Sequence, residues 1–149
     1  MCIQFILAQQ KDCDLLFQWT NDIDVRNNSF CSEPIAYESH VEWFHSKTCS
    51  DQCLLYVCYH GEEPIGQIRI DILDGIGFIN YSVAKAYRGK GYGTMMLKGI
   101  FDVIQQNKTS MRKLLGRVKH ENIPSQRAFE KAAYAFRKEE GYIEYYKEL

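Results

Sequence analysis

The sequence predicts a mixed α/β fold whose sheet is antiparallel first and parallel around one later crossover. Three strand-like segments with short turns between them follow one another within residues 53–84, which is typical of antiparallel hairpins. A glycine-rich segment at residues 87–93 then leads into a helical pattern and another strand, the order of a parallel crossover. We therefore expect a central mixed sheet of about seven strands flanked by about four helices.

The first half of the chain begins with a strand and continues with helices. The apolar residues 2–8 form the predicted strand. An amphipathic helix is predicted over residues 12–21, because acidic residues favour the first helical turn and apolar residues follow at helical spacing. The polar stretch 21–37 predicts a second short helix and a loop, and residues 37–47 predict another amphipathic helix.

The hairpin strands are predicted at residues 53–59, 64–73 and 76–84. The middle one alternates most clearly, because isoleucines take every second position and polar side chains take the positions between them. Four elements follow the glycine-rich segment. They are a helix over 94–107, a strand over 113–118, a helix over 122–134 with Asn122 as its N-cap, and a terminal hairpin that turns at Glu140–Gly141.

Length and composition limit the class of protein. The 149 residues suffice for one domain, which we assign to residues 1–149. No apolar run approaches the roughly 18 residues of a membrane span, and the N-terminus lacks the basic region of a signal peptide. We therefore expect a soluble, cytoplasmic protein without membrane partners. The six cysteines are expected to be reduced, mostly buried thiols, and their spacing predicts no metal site.

Charge is unevenly distributed along the chain, although the net charge is only −1. Residues 1–84 carry four basic and twelve acidic side chains, whereas residues 85–119 carry nine basic side chains and one acid. The basic segment predicts an anionic ligand. Nucleic acid is the weaker alternative, because the basic residues are not interleaved with aromatic ones and the whole chain is slightly acidic.

The glycine-rich turn, residues 88–94, is the clearest candidate for that anion site. Glycine allows positive φ and close backbone approach, and the helix that follows presents unpaired N–H groups and the positive end of its dipole. The spacing is neither that of a P-loop, which needs a lysine after its last glycine, nor that of a dinucleotide-binding turn. It fits R-x-x-G-x-G, with Arg88, Gly91 and Gly93; alone, it is also compatible with a purely structural turn.

A second motif, N-x-x-S-x-x-x-F at Asn122, Ser125 and Phe129, lies downstream of the turn. The two motifs, in this order of elements, resemble the GNAT superfamily of N-acetyltransferases. The resemblance implies a GNAT-like acyl-CoA N-acyltransferase fold with acetyl-CoA as co-substrate. It implies that the turn binds the pyrophosphate of coenzyme A, that the strand end pairs with the pantetheine arm, and that the second motif lies beside the thiol. The cofactor-binding residues implied are Ser82, Val83, Arg88, Gly89, Lys90, Gly91, Tyr92, Gly93, Thr94, Asn122, Ser125 and Phe129.

The sequence departs from the family where catalytic groups are expected. Many members carry a tyrosine at the position of Phe129, whose hydroxyl protonates the leaving thiolate. Here Ser125, Tyr134 or water would replace it, or the thiolate would leave unprotonated. Many also carry a glutamate on the strand before the turn, which this chain lacks. The acceptor amine must lose a proton, so the remaining polar candidates are considered for that step. The catalytic candidates are His40, Tyr81, Ser125 and Asp71, with Ser82 as a further polar group.

The N-terminal half resembles acetyltransferases that act on nucleotide-linked amino sugars, in particular a UDP-linked 4-amino sugar of pseudaminic acid biosynthesis. The matching residues are Trp19, Asn21, Val25, Arg26, Ile35, Glu38, His40, Trp43 and Phe44. This resemblance implies that Arg26 binds the diphosphate, that Trp43 or Tyr37 stacks on the base, and that His40 and Tyr81 contact the sugar.

Each of these residues also has a structural interpretation: Trp43 in the core, His40 hydrogen-bonded in the fold, and Arg26 paired with nearby aspartates. A protein N-terminus or a small amine remains an alternative acceptor, and a non-catalytic acyl-CoA-binding module remains an alternative function. The tyrosine-rich terminal hairpin is compatible with a monomer or a homodimer.

Overall fold

The computed structural model describes residues 2–107 and 110–149. One mixed sheet forms its centre, with strands in the order β1-β2-β3-β4-β5-β7-β6. The number of strands and the mixed character of the sheet confirm the predicted fold class. The strands are β1 Ile3–Leu7, β2 Cys53–His60, β3 Glu63–Leu73, β4 Ile76–Val83, β5 Lys113–Val118, β6 Ala135–Glu139 and β7 Tyr142–Glu148.

Five α-helices occur in the described residues, against the four or so expected. Helix α4 begins before the predicted residue 94, because Gly91 takes up positive φ as its N-cap. Helix α5 ends before the predicted residue 134, where Ala133 adopts positive φ and the chain turns into β6. The helices are α1 Cys13–Thr20, α2 Ile23–Asn28, α3 Tyr37–Thr48, α4 Tyr92–Gln106 and α5 Ile123–Lys131.

Strands β4 and β5 form the parallel pair that the glycine-rich crossover predicted. Every other neighbouring pair in the sheet is antiparallel. The parallel pairing extends only from Ile76–Lys113 to Phe78–Leu115, although β4 continues to Val83 and β5 to Val118. The two strands therefore separate towards their carboxyl ends and leave a wedge-shaped opening in the sheet.

Apolar side chains fill both faces of the sheet. On one face, α4 buries four residues at helical spacing, Met96, Leu97, Ile100 and Ile104, against the isoleucines of β3. On the other face, α1 and α3 pack on β2 around Leu16, Phe44, Leu55 and Val57. The second layer lies over the β2 side of the sheet.

Cysteine burial differs in part from expectation. Cys13, Cys53 and Cys58 are buried, whereas Cys2, Cys31 and Cys49 are exposed, and all six are free thiols. No helix among residues 2–107 and 110–149 is long and apolar enough to cross a membrane. Strand β6 of the terminal hairpin lies at one edge of the sheet, and the expectation of a monomer or a homodimer stays a prediction.

Candidate active site

A cleft of about 1190 Å³ opens where β4 and β5 separate, and residues from both faces of the sheet line it. The start of α4 and residues of α5, including Gly93 and Ser125, line the cleft from one face. From the other face come α1 to α3, including His40 and Trp43. The cleft therefore passes through the sheet, so that two ligands entering from opposite faces would meet beside β4.

The glycine-rich turn forms one end of the cleft. Gly89 and Gly91 adopt φ of +76° and +85°, and an added Cβ at either would point into open space. The free N–H groups of the first turn of α4 therefore face the cleft without side chains in between, as an anion site requires. Most of the predicted turn residues line the cleft, but Lys90 is exposed and lies outside the lining.

Arg88 ties the turn to helix α2. Its Nε donates to the Val83 carbonyl at 2.9 Å, and its terminal nitrogens pair with Asp22 at 3.0 Å and Asp24 at 3.2 Å. Burial would raise the pKa of Asp22, but hydrogen bonds from the α2 backbone and the charge of Arg88 lower it. A pyrophosphate at the turn would share Arg88 with the carboxylates of Asp22 and Asp24. The Val83 carbonyl already accepts a hydrogen bond from Arg88 Nε.

Tyr81 and Ser125 form a polar pair inside the cleft. The Tyr81 hydroxyl and Ser125 Oγ are 2.8 Å apart, joining β4 to the first turn of α5. Burial raises the pKa of Tyr81 to about 12, so its hydroxyl stays protonated at neutral pH and can donate. Asn122 is the N-cap of α5, as predicted, and its side-chain oxygen accepts from the Ser125 N–H.

Phe129 lines the cleft without a hydroxyl, and Tyr134 lies too deep in the core to replace the one that is missing there. Phe129 stacks on Tyr145 with ring centroids 4.9 Å apart, and its tip fills the space above Gly116. The Tyr134 hydroxyl is buried and donates to the Leu97 carbonyl at 3.1 Å. Of the two side chains considered as replacements, Ser125 is therefore the one that lines the cleft.

His40 is buried, yet it belongs to the cleft lining. Its Nε2 lies 2.9 Å from the Cys13 carbonyl, and because a carbonyl only accepts, Nε2 carries the proton. Rings of Phe17, Trp43 and Phe44 surround it at centroid distances from 5.3 to 6.2 Å. The imidazole is thus oriented by the fold, with Nδ1 as its remaining acceptor.

Asp71, predicted as a catalytic candidate, is placed as an ion-pair partner. Its carboxylate accepts from Lys47 Nζ at 2.8 Å and from Arg69 Nε at 2.9 Å, and it does not line the cleft. Burial would raise the pKa of Asp71, but the hydrogen bonds and charges of Lys47 and Arg69 lower it. A doubly paired carboxylate of lowered pKa is a poor proton acceptor. The structure therefore contradicts a catalytic role for Asp71 and indicates that it orients Lys47 and Arg69.

Arg26 lines the cleft, but its N–H groups donate hydrogen bonds to the segment between Thr20 and Glu33. All five N–H groups have partners in the chain: Nε donates to the Thr20 carbonyl at 2.6 Å, and the terminal nitrogens donate to backbone and hydroxyl oxygens between Thr20 and Glu33. Because a bidentate diphosphate contact needs two free donors, this arrangement contradicts the clamp predicted for Arg26. It does not pair with nearby aspartates either.

Trp43 lines the cleft beside an arginine that sequence reasoning did not select. Arg69 lies over the Trp43 ring, its guanidinium carbon 5.1 Å from the centroid, so part of the ring surface expected to stack on a base is covered. In the sequence, Arg69 stands out only as a second basic residue that could join Arg26 at one site for an anionic acceptor. Arg117, also missed, reaches the cleft from β5.

The charged side chains of the cleft are almost all basic. Among the described lining residues one acid, Asp24, faces six basic side chains: Arg26, Arg69, Arg88, Arg117, Arg127 and Lys131. Acids outside the lining offset part of this charge, because Asp22 pairs with Arg88, Asp71 with Arg69, and Glu144 with Arg117. No group of three or more His, Cys, Asp or Glu side chains within the described ranges is arranged to hold a metal ion.

Comparisons with known proteins agree with this geometry. A family model for the acetyltransferase (GNAT) domain matches residues 4–134. A search of curated proteins finds no significant match.

Solved structures share the fold at low identity. AAC(6')-Ib in complex with ribostamycin and coenzyme A has a TM-score of 0.85 at 17% identity, covering 99% of this chain and 94% of that one. Spermidine N-acetyltransferase from Vibrio cholerae in complex with CoA and spermine has a TM-score of 0.85 at 12% identity, covering 98% and 95%. RimL, a ribosomal L7/L12 alpha-N-protein acetyltransferase in complex with coenzyme A, has a TM-score of 0.84 at 11% identity, covering 100% and 95%.

The family match spans most of the chain, and the glycine-rich turn, the separated strands and the α5 motif lie together in one cleft. The chain therefore belongs to the GNAT family of acetyltransferases.

Proposed function

We propose that this enzyme transfers the acetyl group of acetyl-CoA directly to the primary amine of a small molecule that also carries negative charge. A nucleotide-linked amino sugar is the acceptor class that combines these two features. The observation that carries the proposal is the basic lining of the cleft, which has six basic side chains and one acid; three of the six pair with acids outside the lining, and the excess is still positive. A field of one sign in a partly enclosed site concentrates ligands of the opposite sign.

Polycationic acceptors fit the same cleft poorly. AAC(6')-Ib is solved with ribostamycin and the Vibrio enzyme with spermine, both of which carry several ammonium groups. Such a ligand needs carboxylates in the cleft, and the one lining acid, Asp24, is already paired with Arg88. Bound acetyl-CoA adds negative charge near the turn, but the basic groups on β3 and β5 lie beyond it, on the side that the acceptor would enter.

The chemistry needs one group to accept the amine proton and another to supply a proton to the leaving thiolate. His40 is the candidate acceptor, through Nδ1 or a water on it, because Nε2 is fixed on the Cys13 carbonyl. As the C–S bond breaks, the thiolate takes the Ser125 proton, and Tyr81 returns a proton to Ser125 along their 2.8 Å contact. Tyr81 then recovers its proton from solvent.

The first experiment measures release of free CoA with four acceptors at equal concentration: a UDP-linked 4-amino sugar, spermidine, an aminoglycoside and a peptide with a free N-terminus. We expect turnover with the UDP-linked amine and an acetylated product of the corresponding mass. Preferred turnover of spermidine or the aminoglycoside would contradict the charge argument, and preferred turnover of the peptide would favour the protein-acetylating alternative. Binding of acetyl-CoA without release of free CoA with any of the four acceptors would favour the non-catalytic acyl-CoA-binding module.

The proton-supply step is tested with Tyr81→Phe and Ser125→Ala. The phenylalanine variant keeps the packing on Phe129 and loses the hydroxyl, so kcat is expected to fall on the order of 10²-fold while the KM for acetyl-CoA is kept. If the two residues act in one relay, the double variant loses no more than the worse single variant. Wild-type kcat in both single variants would remove them from the mechanism.

A further inference from the structure

We infer that Arg69 forms an anion-binding subsite on the acceptor side of the cleft, which binds a phosphate or carboxylate group of the acceptor. The inference rests on the proposed function, since it assigns the residue that recognises the negative charge of that acceptor. Arg69 comes from β3, opposite Asn80 of β4, and both side chains line the cleft. Neither belongs to the two motifs that define the cofactor side.

The donors of Arg69 are only partly used within the protein. Its Nε donates to Asp71, whereas its two terminal nitrogens have no hydrogen-bond partner among residues 2–107 and 110–149. Four N–H groups therefore remain on a guanidinium whose side chain is 22% exposed. Two parallel N–H groups match the two oxygens of a phosphate or carboxylate, which is the bidentate geometry that makes arginine selective for such groups.

Asp71 and Trp43 fix the orientation of this guanidinium. The Asp71 carboxylate holds Nε and is itself held by Lys47 at 2.8 Å, while the plane of the Trp43 ring supports the guanidinium at 5.1 Å. An ordered side chain loses little conformational entropy when a ligand binds. The three charged groups, Lys47, Arg69 and Asp71, leave one positive charge in excess, which favours an anion at this place.

Neighbouring amides add donors to the same wall of the cleft. Gln67 donates to Asn80 Oδ1 at 3.3 Å and to Ser82 Oγ at 3.2 Å. The Asn80 side-chain oxygen therefore points towards Gln67. The Asn80 amide N–H groups have no hydrogen-bond partner in the described part of the chain. An oxyanion at Arg69 would therefore find a second donor on β4, beside the strand end where the acetyl group is delivered.

Cofactor phosphates do not account for this subsite. Arg69, Asn80 and Ser82 alternate with the core-facing residues of β3 and β4, and therefore lie on the α3 face of the sheet. The α4 N-terminus belongs to the opposite layer, where α4 packs. An acetyl-CoA pyrophosphate held at Gly91 leaves Arg69 to the acceptor.

The test compares Arg69→Gln with Arg137→Gln, a control arginine on β6 that lies outside the cleft lining. Titration of each protein with UDP is expected to show binding at least about tenfold weaker for Arg69→Gln, the equivalent of about 1.4 kcal/mol. The control should bind UDP as the wild type does. Titration with acetyl-CoA should give the same affinity in all three proteins. Asp71 keeps Lys47 as a partner in the variant, so the fold is expected to persist, which thermal unfolding checks.

Kinetics separate this inference from the proposed function and distinguish the two anions. With a UDP-linked amino sugar, Arg69→Gln should raise the KM of the acceptor and leave the KM of acetyl-CoA unchanged. If only an amine bearing a carboxylate is a substrate, and its KM rises in the variant, the subsite holds and the nucleotide acceptor is wrong. If the UDP-linked amine is a substrate with the same KM in variant and wild type, the proposed function holds and the subsite is overturned. The subsite is also overturned if the acceptor KM is the same in Arg69→Gln and in the wild type for every anionic amine.

Discussion

Gly116→Ala tests how tightly the tip of the Phe129 ring packs against Gly116 of β5. A Cβ at Gly116 would lie 2.5 Å from Phe129 Cζ and 3.0 Å from Cε1, whereas unbonded carbons approach to about 3.5 Å. The ring must therefore move by roughly 1 Å. It has little room, because Tyr145 stacks on it and the edges of Tyr81 and Tyr134 enclose it at centroid distances of 5.8 and 5.1 Å.

The expected cost is that of overpacking a filled core, about 1 to 3 kcal/mol. The φ of Gly116 is not positive, so backbone strain adds nothing, and the lower entropy of the unfolded alanine chain offsets at most about 1 kcal/mol. A net loss of about 1 kcal/mol lowers the melting temperature of a chain of this size by about 2 to 4 °C. Because Phe129 contacts Tyr81, we also expect the Tyr81–Ser125 contact to lengthen and kcat to fall.

The assay is urea unfolding of four proteins: wild type, Gly116→Ala, Phe129→Leu and the double variant. The smaller leucine makes room for the alanine methyl group, so the double variant should be more stable than the sum of the two single losses allows. Two outcomes refute the reasoning. One is a Gly116→Ala protein as stable as the wild type, and the other is strict additivity in the double variant.

Three other substitutions test separate parts of the site. Gly91→Glu should abolish acetyl-CoA binding in titration calorimetry, because the added carboxylate repels the pyrophosphate and a side chain at φ +85° strains the turn. The chain should stay folded, because an added Cβ meets no other atom within 4 Å; unchanged affinity would remove the turn from the cofactor site. Asp71→Asn should lower the free energy of unfolding in urea by about 1 to 2 kcal/mol at neutral pH and raise the acceptor KM through Arg69, whereas a large loss of kcat alone would restore its catalytic role. The pKa of Asp71 is lowered in the fold, so its contribution is present above the unfolded pKa of about 3.9, is lost as pH falls through the folded pKa, and should be absent from the variant. His40→Phe should lower the free energy of unfolding by about 0.5 to 1.5 kcal/mol, because the Cys13 carbonyl loses the imidazole N–H and keeps only its partner within α1. It should also reduce turnover at unchanged acetyl-CoA affinity; full turnover in the folded variant would make the histidine structural.

The sequence by itself determined the elements and their connection. Alternation over residues 64–73 predicted a strand, the glycine-rich turn predicted a parallel crossover, and Asn122 predicted a helix start. All three depend on neighbours within a few residues, where periodicity and capping chemistry act directly. Most of the residues expected around the cofactor turn also line the cleft. Their relative positions depend on the backbone of the turn and of the helix that follows it, which neighbouring residues determine.

The tertiary structure alone decided which polar groups are free to act. Arg88 meets Asp22 across a separation of 66 residues, and Asp71 meets Lys47 across 24, pairings that no local pattern encodes. Arg26 and Arg69 have the same chemistry in the sequence, yet the fold uses every donor of Arg26 in a loop and leaves four donors of Arg69 beside the cleft. A side chain binds a ligand only with the hydrogen bonds that the fold has not already taken, and those partners are set by packing.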